Sequence, residues 1–144
     1  EQVGALVGRD EAAIQLSTRI RNSFSKLTCV QQSATVAYFI WRNPWMTVGT
    51  DTFIHDMLGQ GGWQNVYAAK ERYPETSLDE LESLQPEFVF LSSEPYPFAA
   101  KHVAEIQARL PHAKILLVDG ELFSWYGSRM RYAADYLAKL RQSI

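Results

Sequence analysis

The sequence predicts an α/β protein, a three-layer α/β/α lobe with a mostly parallel sheet, preceded by a long helix. Three observations lead there. Strand-type and helix-type segments alternate from Thr35 to Arg141 with short joints, the pattern of a parallel sheet covered on both faces. Two stretches repeat one design: Leu81-Glu82-Ser83-Leu84-Gln85-Pro86 before Phe88-Val89-Phe90-Leu91, and Ile106-Gln107-Ala108-Arg109-Leu110-Pro111 before Ile115-Leu116-Leu117-Val118. Each is a helix, a proline that cannot continue it, and a nearly unbroken apolar strand of the doubly buried kind. Finally, Ala13, Leu16, Ile20, Phe24 and Leu27 recur at spacings of three and four, which marks an amphipathic helix of about five turns over Asp10–Leu27.

The elements follow in order. Glu1 to Val7 is a short piece that ends at Gly8. After the long helix, Thr35 to Trp41 is β-branched and aromatic, hence a strand. Thr50 or Asp51 can cap a helix carrying Phe53, Ile54, Met57 and Leu58, which stops at Gly59-Gln60-Gly61-Gly62. Asn65 to Tyr67 reads as a short strand. Ser77 opens a helix with Leu78, Leu81 and Leu84, and Glu87 to Ser92 is the next strand. A helix from Phe98 or Ala99 to Leu110 leads to a strand over Ala113–Asp119. The last helix, Ser128 to Arg141, has Met130, Ala133, Ala134, Leu137 and Leu140 on its apolar face.

Composition narrows the function classes. The 144 residues are 47% hydrophobic with a formal net charge of -2, which leaves no basic footprint for nucleic acid. No run approaches the roughly 20 apolar residues of a membrane span. Glu1-Gln2-Val3-Gly4 lacks the start of a signal peptide, as a mature or truncated chain would. Cys29 stands alone, so no internal disulfide is expected. His55, His102 and His112 show no metal-ligand spacing, and no nucleophile elbow, phosphate loop or dinucleotide fingerprint is present. Neither catalytic residues nor a resident metal or cofactor is expected.

In open parallel sheets, ligands bind at the carboxyl ends of the strands. Three loops leave such ends: Arg42–Gly49, Ser93–Phe98 and Gly120–Gly127. All carry large aromatics where connecting segments are usually polar. Candidate ligand-binding residues are Trp41, Arg42, Trp45 and Met46 from the first, and Tyr96 and Phe98 from the second. Glu121, Phe123, Trp125, Tyr126 and Arg129 come from the third and its continuation. Half-exposed rings along one edge make an apolar shelf with polar tips, suited to a broad flat ligand. The competing reading folds these rings back into the core.

These residues resemble a known family. Tyr38-Phe39-Ile40-Trp41-Arg42-Asn43-Pro44-Trp45-Met46-Thr47-Val48-Gly49-Thr50-Asp51-Thr52-Phe53-Ile54 is similar to the opening of the C-terminal lobe of class III periplasmic solute-binding proteins, which serve cobalamin, haem and ferric-siderophore ABC importers. Gly61-Gly62-Trp63-Gln64-Asn65-Val66 matches their Gly-Gly-x-x-Asn-Val pattern. Ser77-Leu78-Asp79-Glu80-Leu81 with Pro86-Glu87-Phe88-Val89 matches their helix, Pro-Asp and strand.

The resemblance implies that residues 1–28 hold the end of an N-terminal lobe and the interlobe backbone helix, and residues 29–144 the C-terminal ligand-binding lobe. It implies capture of cobalamin, a ferric siderophore or haem in an interlobe cleft, in a periplasmic or extracytoplasmic setting. One wall of that cleft is present here, so weak binding is expected of this chain by itself. The family docks on its permease through an acidic residue of each lobe; position matches Asp79, with Glu80 as the near alternative. Ser77-x-x-Glu80 also reads as a capping box, which would give these acids an ordinary structural role. The exposed face of the Asp10–Leu27 helix is expected to pair with the other lobe or with a second copy. A cytoplasmic α/β nucleotide-binding enzyme or regulatory domain is the alternative that the fold class alone allows.

Overall fold

The computed structural model describes residues 1–27 and 33–144. The boundary expected between Thr28 and Cys29, and Cys29 itself, lie outside the described residues. The helices are α1 (Gln2–Leu6), α2 (Asp10–Phe24), α3 (Phe53–Gln60), α4 (Leu78–Leu84), α5 (Ala100–Arg109), α6 (Gly120–Ser124) and α7 (Met130–Gln142). The strands are β1 (Ala34–Trp41), β2 (Trp45–Thr47), β3 (Trp63–Asn65), β4 (Glu75–Thr76), β5 (Phe88–Ser92) and β6 (Lys114–Val118). A single 3-10 turn over Gly127–Arg129 leads into α7.

The six strands form one sheet in the order β4-β2-β1-β5-β6, with β3 also paired to β1. β1, β3, β5 and β6 run parallel; β2 and β4 add an antiparallel edge. Strand periodicity then divides the core. Val36, Tyr38, Phe90 and Val118 face one way and pack under α3, α6 and α7, with Met57, Leu58, Phe123 and Leu137. Ala37, Phe39, Val89, Leu91 and Ile115 face the other way and pack under α4 and α5, with Leu81, Ile106 and Leu110. This is the three-layer α/β/α arrangement with a mostly parallel sheet. Each fully buried Leu, Val, Ile or Phe contributes about 1.5–3 kcal/mol of transfer free energy.

Local chemistry corrects several boundaries. Thr52, not Thr50 or Asp51, caps α3: its hydroxyl oxygen accepts the His55 N–H at 3.2 Å and the hydroxyl donates to the Gly49 carbonyl at 2.8 Å. The short strand is Trp63–Asn65 rather than Asn65–Tyr67, because Asn65 turns the chain: its side-chain oxygen accepts the Tyr67 N–H at 3.0 Å. Two of the three segments read as loops contain regular structure. Trp45–Thr47 returns along β1 as β2, and Gly120–Ser124 winds into α6 under an Asp119 cap. Ser77 caps α4 as expected, accepting the Glu80 N–H at 3.1 Å.

The long helix has the expected stripe, but none of α2's residues is buried. Val3, Leu6, Val7 and Ile14 on α1, its end and α2 are exposed at 73%, 85%, 63% and 55%. Between the two helices runs an apolar groove of about 460 Å³ lined by Val3, Val7, Ala13, Leu16 and Ile20. No helix among the described residues is long and apolar enough to cross a membrane.

Candidate functional site

β1, β5 and β6 end on the same edge of the sheet, so the segments that leave them meet there. Beyond β1, the turn Arg42–Pro44 carries Asn43 at a φ of 66°, a left-handed conformation that asparagine tolerates. This turn sends β2 back along β1. The Arg42 guanidinium grips Glu105 of α5 in a two-pronged ion pair, 2.7 and 3.0 Å, and lies 5.4 Å over the Trp45 ring. The hydrogen bond to Glu105 raises the Arg42 pKa further above its ordinary value. Arg42 is therefore a brace between β1 and α5 rather than a free cation facing a ligand.

The aromatic residues divide into wall and core. Trp41 is 39% exposed and meets Tyr96 edge to face at 5.5 Å. Trp45 and Met46 are half-buried, Trp45 stacked parallel on Phe98 at 6.0 Å. Trp125 and Tyr126 stand out at 51% and 73% exposure, with Tyr126 edge-on to Phe53 at 5.0 Å. Phe98 and Phe123 must be removed from the candidate wall. Phe98 keeps 7% of its surface and Phe123 none. The reason for Phe123 is α6: winding the segment into a helix turns that ring inward onto Tyr38, Phe90 and Tyr136 at 5.1–6.1 Å. Phe98 is drawn inward by Trp45, Tyr96 and His102, whose rings enclose it at 6.0, 4.7 and 5.4 Å.

A polar knot joins the β5 and β6 ends. Ser93 donates its N–H to the Val118 carbonyl at 2.9 Å, and its hydroxyl oxygen accepts the Gly120 N–H at 2.9 Å. Buried beneath, Tyr38 donates its hydroxyl to Ser92 Oγ at 3.1 Å, and burial raises its ionisation far above the ordinary tyrosine range. Gly120 is required here: a Cβ would stand 2.3 Å from Ser92 Oγ and 2.7 Å from Glu94 Cγ. Above the knot, the Glu94 carboxylate accepts Trp125 Nε1–H at 2.6 Å and the Ser124 hydroxyl at 3.3 Å. Arg129 pairs with Glu121, and its Nε is buried without a hydrogen-bond partner. These groups border an open concavity of about 560 Å³ lined by Ser93, Glu94, Val118, Asp119, Glu121 and Arg129.

Two polar residues at this edge, His102 and Glu94, carry no signal as ligand residues in the sequence. His102 is 3% exposed; its Nδ1 accepts the Ala99 N–H at 2.9 Å and its Nε2 lies 3.3 Å from Tyr96 Oη. Its one local sign is its place three residues after the helix cap, where side chains reach back to the cap N–H. Glu94 is found only once α6 brings Trp125 over it. Among the described residues, no group of three or more His, Cys, Asp and Glu could hold a metal ion.

No family model matches the sequence, and no curated protein matches it. Solved structures do. The periplasmic haem-binding protein of Vibrio cholerae superposes with a TM-score of 0.79 at 18% identity, over 96% of this chain and 60% of that one. An ABC-type Fe3+-hydroxamate transport protein from Saccharomonospora viridis gives a TM-score of 0.71 at 20% identity, over 99% and 52%. The periplasmic vitamin B12-binding protein of Vibrio cholerae gives 0.62 at 17%, over 99% and 56%. The chain has the α/β lobe fold of the periplasmic solute-binding proteins. The lobe spans little more than half the length of each of these structures.

Asp79 and Glu80 lie in the first turn of α4. The Asp79 side chain is 84% exposed and shares Arg109 with Glu82. Glu80 is turned back onto the protein, 2.5 Å from Lys70 and 2.9 Å from the Thr76 hydroxyl. Its carboxyl is held below the usual carboxylate range, first by Lys70.

Proposed function

We propose that this lobe is one wall of the substrate-binding component of an ABC importer that captures a metal chelate, namely cobalamin, a ferric siderophore or haem. The observation that carries the reading is the exposed aromatic rim. Trp41, Trp125 and Tyr126 stand exposed and the half-buried Tyr96 meets Trp41, so rings from all three strand ends share one edge, on a fold whose solved neighbours include haem-binding, Fe3+-hydroxamate transport and vitamin B12-binding proteins. Rings of this kind offer a flat chelate large contact area for few frozen torsions. Glu94, Glu121 and Arg129 supply polar groups at the margin. The role asks for binding and release, with no catalytic step, in an extracytoplasmic setting.

The same reading assigns Asp79 to docking on the permease, ahead of Glu80. Exposure favours Asp79, whereas Glu80 is committed to Lys70, Thr76 and the start of α4. Two-dimensional NMR of the chain, titrated with cyanocobalamin, ferrichrome or haemin, tests the ligand class. Shifts centred on Trp41, Tyr96, Trp125 and Tyr126 for one of these are expected, with weak affinity because one wall contributes. If all three leave the spectrum unchanged while a nucleotide moves it, the chelate reading is rejected. For docking, Asp79→Ala is expected to abolish uptake in a transport assay without loosening ligand binding.

A further inference from the structure

We propose that His102 is a positioning residue for Tyr96: a neutral imidazole, protonated on Nε2, that aims the Tyr96 hydroxyl at the ligand-facing edge and releases it in acid. The inference rests on the reading of that edge as ligand-facing, and deepens it by assigning a regulation.

The geometry fixes the tautomer. Ala99 N–H donates to Nδ1 at 2.9 Å, so Nδ1 presents its lone pair and the ring proton of a neutral imidazole sits on Nε2. Nε2–H then donates to Tyr96 Oη at 3.3 Å, and the phenol's own hydrogen is turned away from His102. Rotation of the imidazole is blocked by Tyr96 and Phe98, whose rings meet it edge-on at 5.4 Å each. Tyr96 in turn rests against the exposed Trp41 at 5.5 Å. A buried histidine, together with Arg42, which also hydrogen-bonds Tyr96, thus sets the direction of one donor and the packing of one rim indole.

Protonation breaks this arrangement. A second ring proton on Nδ1 would face the Ala99 N–H head-on, in a pocket that leaves His102 3% exposed. One of the free N–H groups at the start of α5 would lose its acceptor, and the ring would have to move. The charged groups that bear on the imidazole are Lys101 and Glu105 of its own helix and Arg42 from the β1–β2 turn, with Tyr96 as the neutral contact. Burial opposes the cation most, Lys101 and Arg42 add to that, and Glu105 opposes them while paired to Arg42. The imidazole therefore stays neutral to below its ordinary value of 6.5. Charging is an event of acid conditions only.

Nitrogen-15 NMR of the histidine side chains, without ligand, tests this directly. At pH 7.5 His102 is expected to be deprotonated on Nδ1. On acidification, its titration, with a midpoint below 6.5, should coincide with shifts of the Tyr96 ring and the Trp41 indole. His102→Gln can accept from Ala99 and donate to Tyr96 without titrating, so its rim resonances should lose the acid step. An Nδ1-protonated tautomer at pH 7.5 would overturn the proposal, as would an acid step that survives in His102→Gln. Should the variant fail to fold, the wild-type tautomer and the coincidence of shifts still decide. These readouts need no ligand. Failure of every chelate to bind would sink the proposed function and leave the His102 result standing.

Discussion

Trp125 Nε1–H donates to Glu94 Oε1 at 2.6 Å, tying the segment beyond α6 to the segment beyond β5 while leaving half of the indole in solvent. Trp125→Ala should change stability by less than about 0.5 kcal/mol, as surface replacements usually do. It should weaken chelate binding about tenfold, equivalent to about 1.4 kcal/mol. Chemical denaturation and ligand titration on the same sample separate the two effects.

Phe123 predicts the opposite pattern. It is wholly buried among Tyr38, Trp63, Phe90 and Tyr136. Phe123→Ala should cost about 3–5 kcal/mol, the range for emptying a packed aromatic site. Loss of near-ultraviolet ellipticity at lower denaturant measures it. A change under 1 kcal/mol would return Phe123 to the ligand wall.

Glu80 makes a small acid-sensitive contribution. Its carboxyl is lowered from 4.5 by Lys70 first and by Thr76 as well. A depressed carboxylate stabilises the fold fully above its unfolded value and loses that contribution as pH falls through its folded value. Lys70→Ala should flatten the stability curve below about pH 4.5 and cost no more than about 1 kcal/mol at neutral pH, since the pair is over a third exposed. Urea midpoints from pH 3 to 7 test the sign.

The groove between α1 and α2 predicts self-association of the chain. Leu6 and Ile14 leave large apolar surface in water beside it. Sedimentation should reveal a reversible dimer that Leu6→Glu with Ile14→Glu dissociates, with no loss of helicity. A chain that stays monomeric at high concentration would argue against this face as a contact between copies.

Most of the fold was legible because strand and helix periodicities are local. The Pro86 and Pro111 stops frame β5 and β6, and Ser77 marks α4 by its own chemistry. What the sequence hides depends on distant partners. β2 is three residues long and exists because β1 and β4 flank it. Phe98 and Phe123 have the composition of rim aromatics; α6 and the Trp45 stack send them inward. The exposure of Trp41, Trp125 and Tyr126 was foreseeable from their position at strand ends. The pairings of Arg42 with Glu105, Glu94 with Trp125 and His102 with Tyr96 were not, since each joins different segments or faces.

The missing methyl at Gly120 has a reach beyond its own turn. It lets two neighbouring crossovers share one set of hydrogen bonds, so the carboxyl ends of β5 and β6 are joined into a single frame. Diversification of such a lobe is therefore partitioned. Side chains mounted above this frame, such as Trp125 and Tyr126, project into solvent clear of it, while any residue larger than glycine at position 120 would pry it apart.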